Sequence, residues 1–209
     1  LNPDLVYFID KLPIPGGDIQ SKKYFIRPGG TAINCAENIA MWDINTAVRG
    51  NSVGNDELGT FLIEHLNNLE IVHKDVIKDS TTTPTCSIYI DESGERTIIS
   101  SGYEENNWSN LNNIQDYDSL LIDRYSIKYV KEELKKVKKD NNIFLTQAGY
   151  EEEINYEVDF LVVSKNEIEV KEANEILEKG LAKWILLTSS NLPARLLSTD
   201  GVLEIVPPD

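Results

Sequence analysis

Apolar residues recur along the chain in two periods, and the changes between them mark out its elements. Leu5 to Ile9 and Lys23 to Arg27 read as short strands, parted by the turn-rich Leu12-Pro13-Ile14-Pro15-Gly16-Gly17. Pro28-Gly29-Gly30 breaks the chain. Thr31 to Met41 then predicts a helix whose Ala32, Ala36 and Ala40 form a narrow face suited to close packing. Thr46 to Gly50 is strand-like. Asp56 stands where it caps a helix over Glu57 to Asn67, with Leu58, Leu62, Leu66 and Leu69 on one stripe. Cys86-Ser87-Ile88-Tyr89-Ile90 alternates, Asp91-Glu92-Ser93-Gly94 turns, and Arg96-Thr97-Ile98-Ile99 returns, which is a hairpin pattern.

Beyond Ser101 strands and helices alternate. Leu120-Leu121-Ile122, Ile143-Phe144-Leu145, Phe160-Leu161-Val162-Val163 and Trp184-Ile185-Leu186-Leu187-Thr188 read as strands, the Phe160 run as one buried on both faces. Val130, Leu134 and Val137 mark the buried side of a helix from about Ser126 to Lys139, and Glu132 and Lys136 form an i,i+4 pair on its wet side. A further helix spans Ile168 to Lys179. This alternation predicts an α/β fold with a mostly parallel central sheet flanked by helices. The strands within residues 5–27 and 84–100 do not fit it, and are expected to form a small β lid over one end of a single domain. Trp42 and Trp184 are expected in the core.

Composition narrows the function classes. The chain has 209 residues, 41% of them apolar and 26% charged, which suits one self-sufficient core. With 20 Lys+Arg against 35 Asp+Glu, its formal charge of −15 argues against nucleic-acid and anionic-membrane partners. No apolar run approaches the roughly 18 residues of a membrane span. No basic stretch followed by an apolar run opens the chain, and the expected location is the cytoplasm. The first residue is Leu1 rather than Met, read as processing or an incomplete product. Cys35 and Cys86 are expected to be small buried hydrophobes in a reducing compartment. His65 and His73 lack partners at metal-ligand spacing, which weighs against histidine-dependent hydrolases.

Open parallel sheets bind ligands at the carboxyl ends of their strands, so polar residues just after strands are the candidates. Gly29 and Gly30 let a backbone approach a ligand and open a helix, and Asn34 lies one turn in with a donor and an acceptor for hydroxyls. Asp4, in a loop before the first strand, is an acceptor for sugar-like hydroxyls or a simple loop acid. Val53-Gly54-Asn55-Asp56-Glu57-Leu58-Gly59 reads as a structural turn and cap. Asn166 and Glu169, three apart at a helix start, can hold a hydrated Mg²⁺ through its waters, or form a cap and a first-turn acid. The common G-x-G-x-x-G and G-x-x-x-x-G-K-[ST] fingerprints are absent, so any phosphate donor is held differently.

In order and spacing these pieces resemble the ribokinase-like, or PfkB, carbohydrate kinases. The resemblance is carried by Asn2-Pro3-Asp4, by Lys11-Leu12-Pro13 with Pro15-Gly16, and by Gly29-Gly30-Thr31-Ala32-Ile33-Asn34-Cys35-Ala36 (GG-x-x-x-N-x-A). It continues through Val53 to Gly59 (V-G-x-D-x-x-G), Pro84-Thr85, Gly94-Glu95-Arg96-Thr97 and Asn166-Glu167-Ile168-Glu169 (N-E-x-E). It implies transfer of the γ-phosphate of ATP to a sugar hydroxymethyl, with Asp4, Gly29, Gly30 and Asn34 gripping the sugar. Asn166, Glu169 and Thr188 would serve the nucleotide, the first two organising Mg²⁺ through water. The lid would exclude water and serve as a homodimer clasp.

The resemblance also implies parts outside these residues: a strand before Leu1, and beyond Asp209 a G-A-G-D segment with the catalytic base and anion hole. No catalytic residue is therefore assigned within the chain. In Thr188-Ser189-Ser190-Asn191-Leu192-Pro193, Ser190 and Pro193 stand where the family's T-x-G-x-x-G has glycines. The alternatives are a non-catalytic sugar-binding relative and a nucleoside kinase of the same fold.

Overall fold

The computed structural model describes residues 1–79, 81–140, 143–150, 154–190 and 192–206. Asn191 of the post-strand loop and the final Pro207, Pro208 and Asp209 lie outside them. The elements run β1 (Asn2–Phe8), β2 (Lys23–Gly29), α1 (Thr31–Ala40), β3 (Val53–Gly54), α2 (Glu57–Asn68), β4 (Lys78–Asp79), β5 (Thr85–Ile90) and β6 (Arg96–Ser101). After a 3₁₀ turn at Ile114–Asp116 come β7 (Ser119–Asp123), α3 (Arg124–Asp140), β8 (Phe144–Ala148), β9 (Val158–Ser164), α4 (Val170–Glu178), β10 (Ala182–Thr188), β11 (Ala194–Ser198) and β12 (Gly201–Ile205). The chain divides into two compact units, Leu1–Asn110 and Leu111–Asp209.

In the first unit the strands of residues 5–27 and 84–100 do share a sheet, in the order β2-β1-β5-β6. β1 runs antiparallel to β2 and parallel to β5, which closes an antiparallel hairpin with β6. One face carries a stack of tyrosines from three strands, Tyr7 lying 6.0 Å from Tyr24 and 5.3 Å from Tyr89. Beside the sheet, α1 and α2 bury Ile33, Ala36, Leu62 and Leu66 with Val48, Val53 and Ile71. Burying each large aliphatic side chain contributes about 1.5–3 kcal/mol. Asp56 caps α2 as expected, accepting from the Gly59 N–H at 2.7 Å. Thr46 to Gly50 forms no strand: only an isolated bridge joins Ala47 to Val72.

The second unit is a six-stranded sheet in the order β12-β11-β10-β9-β8-β7. β7 to β10 are parallel, and β11 and β12 add an antiparallel edge. α3 packs on β7 and β8, and α4 on β10 and β11. Leu134, Leu145, Leu161 and Ile185 are fully buried between the layers. Glu132 pairs with Lys135 at 2.6 Å rather than with Lys136. Trp42 and Trp184 are corrections as well: they are 73% and 40% exposed, one in the turn after α1, the other alternating outward on β10. Cys35 and Cys86 are free thiols, half-buried rather than buried.

Candidate active site

In the first unit Asp4 is not a loop acid. β1 begins at Asn2, and the Asp4 carboxylate is buried inside it. Register sets it opposite Arg27 on β2. The Arg27 Nε and Nη2 donate to Asp4 Oδ2 at 3.3 and 3.2 Å, and Asn2 Nδ2 donates to Oδ1 at 2.8 Å. The Tyr103 hydroxyl in turn donates to Asn2 Oδ1 at 2.8 Å. A buried carboxylate needs such partners, because an unpaired charge taken from water is costly.

Gly29 and Gly30 explain themselves by geometry. A Cβ on Gly29 would overlap the Asp4 carboxyl, so only glycine leaves the acid its seat. Gly30 has φ 91°, a left-handed conformation that favours glycine, and a Cβ there would lie 2.9 Å from Asn2 Oδ1. Gly30 is also the N-cap of α1 and supplies no side chain to the helix start. Asn34 closes the first turn, its N–H on the Gly30 carbonyl at 3.0 Å. Its half-buried side-chain amide has no hydrogen-bond partner among the described residues. The first unit thus brings Gly29 against Asp4 and Gly30 against Asn2, and sets Asn34 one turn along the helix that Gly30 opens.

The Val53 to Gly59 segment is structural. Burial pushes the Asp56 carboxyl up, but hydrogen bonds from the Thr83 side chain and backbone and from Gly59 outweigh it and leave the group more acidic than usual. Nearby, the Thr81 hydroxyl and Asn107 amide hold Asp79 down to about 2. A Cβ on Gly59 would overlap the Gly54 carbonyl and one on Gly54 would overlap the Thr81 carbonyl, which accounts for both glycines of the motif.

In the second unit the candidates lie at or just beyond the carboxyl ends of neighbouring parallel strands. Asn166 and Glu169 do not start a helix together. Both are exposed in the turn between β9 and α4, and Glu169 is the N-cap without a side-chain cap bond. Thr188 ends β10 and donates from Oγ1 to the Val163 carbonyl at 3.2 Å. The turn is pinned by the residue between the two candidates. Glu167 accepts the Ser164 N–H at 2.8 Å and pairs with Arg124, the first residue of α3. Arg124 reaches it across Gly149, just past β8, where a Cβ would stand 2.9 Å from its Cδ. The Arg124 guanidinium therefore ties the start of α3, beyond β7, to the turn beyond β9, while its stem passes the Gly149 backbone beyond β8. In the loop after β10, Ser190 takes φ 49°, so the glycine-like conformation is kept without the glycine.

This arrangement has a counterpart among known families. The profile of the pfkB family carbohydrate kinases matches residues 2–209. The chain belongs to that family. No curated protein sequence matches it. Among solved structures, the pfkB chain is similar to a ribokinase from Thermotoga maritima, with 21% identity and a TM-score of 0.73 over 100% of this chain and 75% of that one. It is also similar to a nucleoside kinase from Methanocaldococcus jannaschii, with 20% identity, a TM-score of 0.72 and coverage of 98% and 73%. A fructokinase from Xylella fastidiosa gives 14%, 0.72, 98% and 75%. These likenesses establish a ribokinase-like α/β fold.

Four residues of this pfkB chain escape motif reading: Asn2 as a partner of Asp4, Arg27, Tyr103 and Arg124. Arg27 stands one residue before the Pro28-Gly29-Gly30 break. It declares itself only when strand register sets it opposite Asp4.

Proposed function

We propose that this pfkB chain belongs to an ATP-dependent phosphotransferase acting on a hydroxymethyl group of a sugar. The observation that carries the reading is the buried Asp4 carboxylate, seated in the space Gly29 leaves open. It is a fixed acceptor for sugar hydroxyls, and the Asn34 amide adds a donor and an acceptor. Phosphoryl transfer is mainly positioning and charge neutralisation, so a rigid grip on the acceptor is what the reaction needs from this unit.

The second unit suits the donor side. The exposed side chains of Asn166 and Glu169 make no hydrogen bond among the described residues, a donor set that matches a cation keeping most of its own water. No group of three or more His, Cys, Asp or Glu among the described residues suits direct metal ligation. Mg²⁺ held there through water would neutralise phosphate charge of a bound ATP, with Thr188 beside it. Deprotonating the attacking hydroxyl falls to the Asp of the family's G-A-G-D segment, which the resemblance places after Asp209. The four-stranded sheet, with Tyr24, Ile26 and Ile99 exposed on one face, is suited to act as lid and as the clasp of a homodimer. No described helix is long and apolar enough to cross a membrane.

The test is ADP release with Mg²⁺·ATP and a panel of sugars and nucleosides. It is run on purified natural protein whose intact mass has been compared with the 23.6 kDa of these residues. Sugar-dependent ADP release is expected. Sugar binding without turnover in a protein that carries the G-A-G-D segment indicates the non-catalytic reading, and turnover of nucleosides alone moves the acceptor class.

A further inference from the structure

The helices α3 and α4 lie on one face of the six-stranded sheet. Val130 and Leu134 from α3 and Ile176 and Leu177 from α4 enter a single buried cluster with Leu161 and Ile185. Each helix joins two parallel strands, α3 between β7 and β8 and α4 between β9 and β10. Both therefore run back against the strands and in the same direction. Their outer sides are apolar near their starts. Tyr125 and Tyr129 of α3 are 53% and 43% exposed, and Val170 of α4 is 37% exposed.

Further along, the two helices carry opposite charge. On α3, Lys128 and Lys136 are exposed and Lys131 is half-buried. The acids of that stretch are engaged at home, Glu132 with Lys135 at 2.6 Å and Glu133 with the Leu111 N–H at 3.0 Å. On α4, Glu175 and Glu178 are exposed and Glu172 is half-buried. Its one cation, Lys171, stands 4.0 Å from Glu175. In a chain of net charge −15 the lysine row is a local reversal of sign, and every copy of the chain presents both rows on one layer.

Two copies can be laid face to face about a twofold axis that runs along the helices. Each α3 then lies over α4 of the other copy, and the helices stay parallel. Tyr125 and Tyr129 meet the other Val170, the lysine row meets the other glutamate row, and each contact is made twice. A twofold axis running across the helices would set α3 on α3 and α4 on α4, like charge on like, so the charge pattern selects the first arrangement. We propose that the α3–α4 face is an interface at which a second copy of this chain docks, the cationic α3 of each against the acidic α4 of the other. Single exposed ion pairs are weak, so the tyrosines supply the anchor and the charges supply the choice of partner and orientation. This surface is separate from the four-stranded sheet proposed as a clasp, and the inference does not depend on the sugar kinase reading.

Charge reversal tests it, read by sedimentation velocity on the intact protein. K128E/K131E/K136E makes both helices acidic, and E172K/E175K/E178K makes both basic. Each variant alone should self-associate about 100-fold more weakly than the unaltered chain. An equimolar mixture of the two should recover the association, since acidic α3 then meets basic α4 and acidic α4 meets basic α3. Both variants keep a net negative charge, so general attraction between them does not account for recovery. A dimer formed through the four-stranded sheet persists in every sample and drops out of the comparison. Carbodiimide cross-linking of mixed isotope-labelled and unlabelled chains needs no variant to fold. It should join Lys128, Lys131 or Lys136 of one copy to Glu172, Glu175 or Glu178 of the other. Equal association of the unaltered chain and both variants, a mixture that recovers nothing, or an absence of links between labelled and unlabelled copies overturns the proposal.

Discussion

The two clusters of candidate residues are built on opposite plans. In the first unit the key acid is buried in a strand and held by Arg27, Asn2 and, through Asn2, Tyr103. In the second, Asn166 and Glu169 stand in solvent on a turn, and the restraint acts on their neighbour Glu167. The difference matches what each is proposed to hold. Hydroxyl recognition depends on direct bonds to fixed atoms, so the acceptor must be met by a preorganised carboxylate. A hydrated cation carries its own adaptable shell, so its ligands need only be kept within reach. Rigidity is placed where the ligand cannot adjust.

The sharpest way to break this contrast is Gly29→Ala. The added methyl claims the seat of the Asp4 carboxyl and displaces it. A misplacement of this kind lowers affinity or rate by about 100-fold. Calorimetry should show that loss for the sugar, while nucleotide binding in the presence of Mg²⁺ stays as it was. A loss of both would mean the glycine serves the fold rather than the site.

Arg124→Ala acts one step removed, since Arg124 touches the turn and not the proposed cation. Loss of a partner that orients ligands typically costs about 10-fold in metal affinity, and Mg²⁺ titration in the presence of a non-hydrolysable ATP analogue should show it. The Glu167→Ala variant should show a similar loss, and the double variant no more than either alone. Additive losses would separate the two residues.

The smallest effect belongs to the loop after β10. A non-glycine residue in the left-handed region costs about 1–2 kcal/mol, so Ser190→Gly should raise stability by about 1 kcal/mol, or about 2–4 °C in the melting midpoint. Calorimetric scanning checks it. No gain would show that the Ser190 side chain makes up for its strained backbone.

What could be seen beforehand followed from periodicity. The strands β7 to β10 and the four helices appear in the apolar spacing because each buries a regular face, whereas the β5–β6 hairpin shows in its alternation and its Asp91–Gly94 turn although β6 is exposed throughout, and the cap shows in Asp56 standing before an apolar stripe. The start of β1 did not appear. Asn2, Pro3 and Asp4 look like a loop until Arg27 and Tyr103, 23 and 101 residues away, satisfy the buried polar atoms. Asn166 and Glu169 had the spacing of a helix face, but α4 begins only at Val170, after Glu167 has turned back to bond the Ser164 N–H. The exposure of Trp42 and Trp184 has a related reason: hydrophobic identity shows neither that a residue falls in the turn past its helix, as Trp42 does, nor which side of its strand it faces, as for Trp184. Local pattern shows elements, whereas partners distant in sequence decide which polar residues are pinned.

The tyrosine stack gives the four-stranded sheet a property of its own. Tyr7, Tyr24 and Tyr89 come from β1, β2 and β5, and their rings lie within 19° of parallel. Closely stacked phenols couple their ultraviolet transitions. The near-ultraviolet circular dichroism of this stack therefore exists only while all three strands are zipped together. The sheet carries a built-in chromophore array that reports its own assembly, distinct from any signal of helix content.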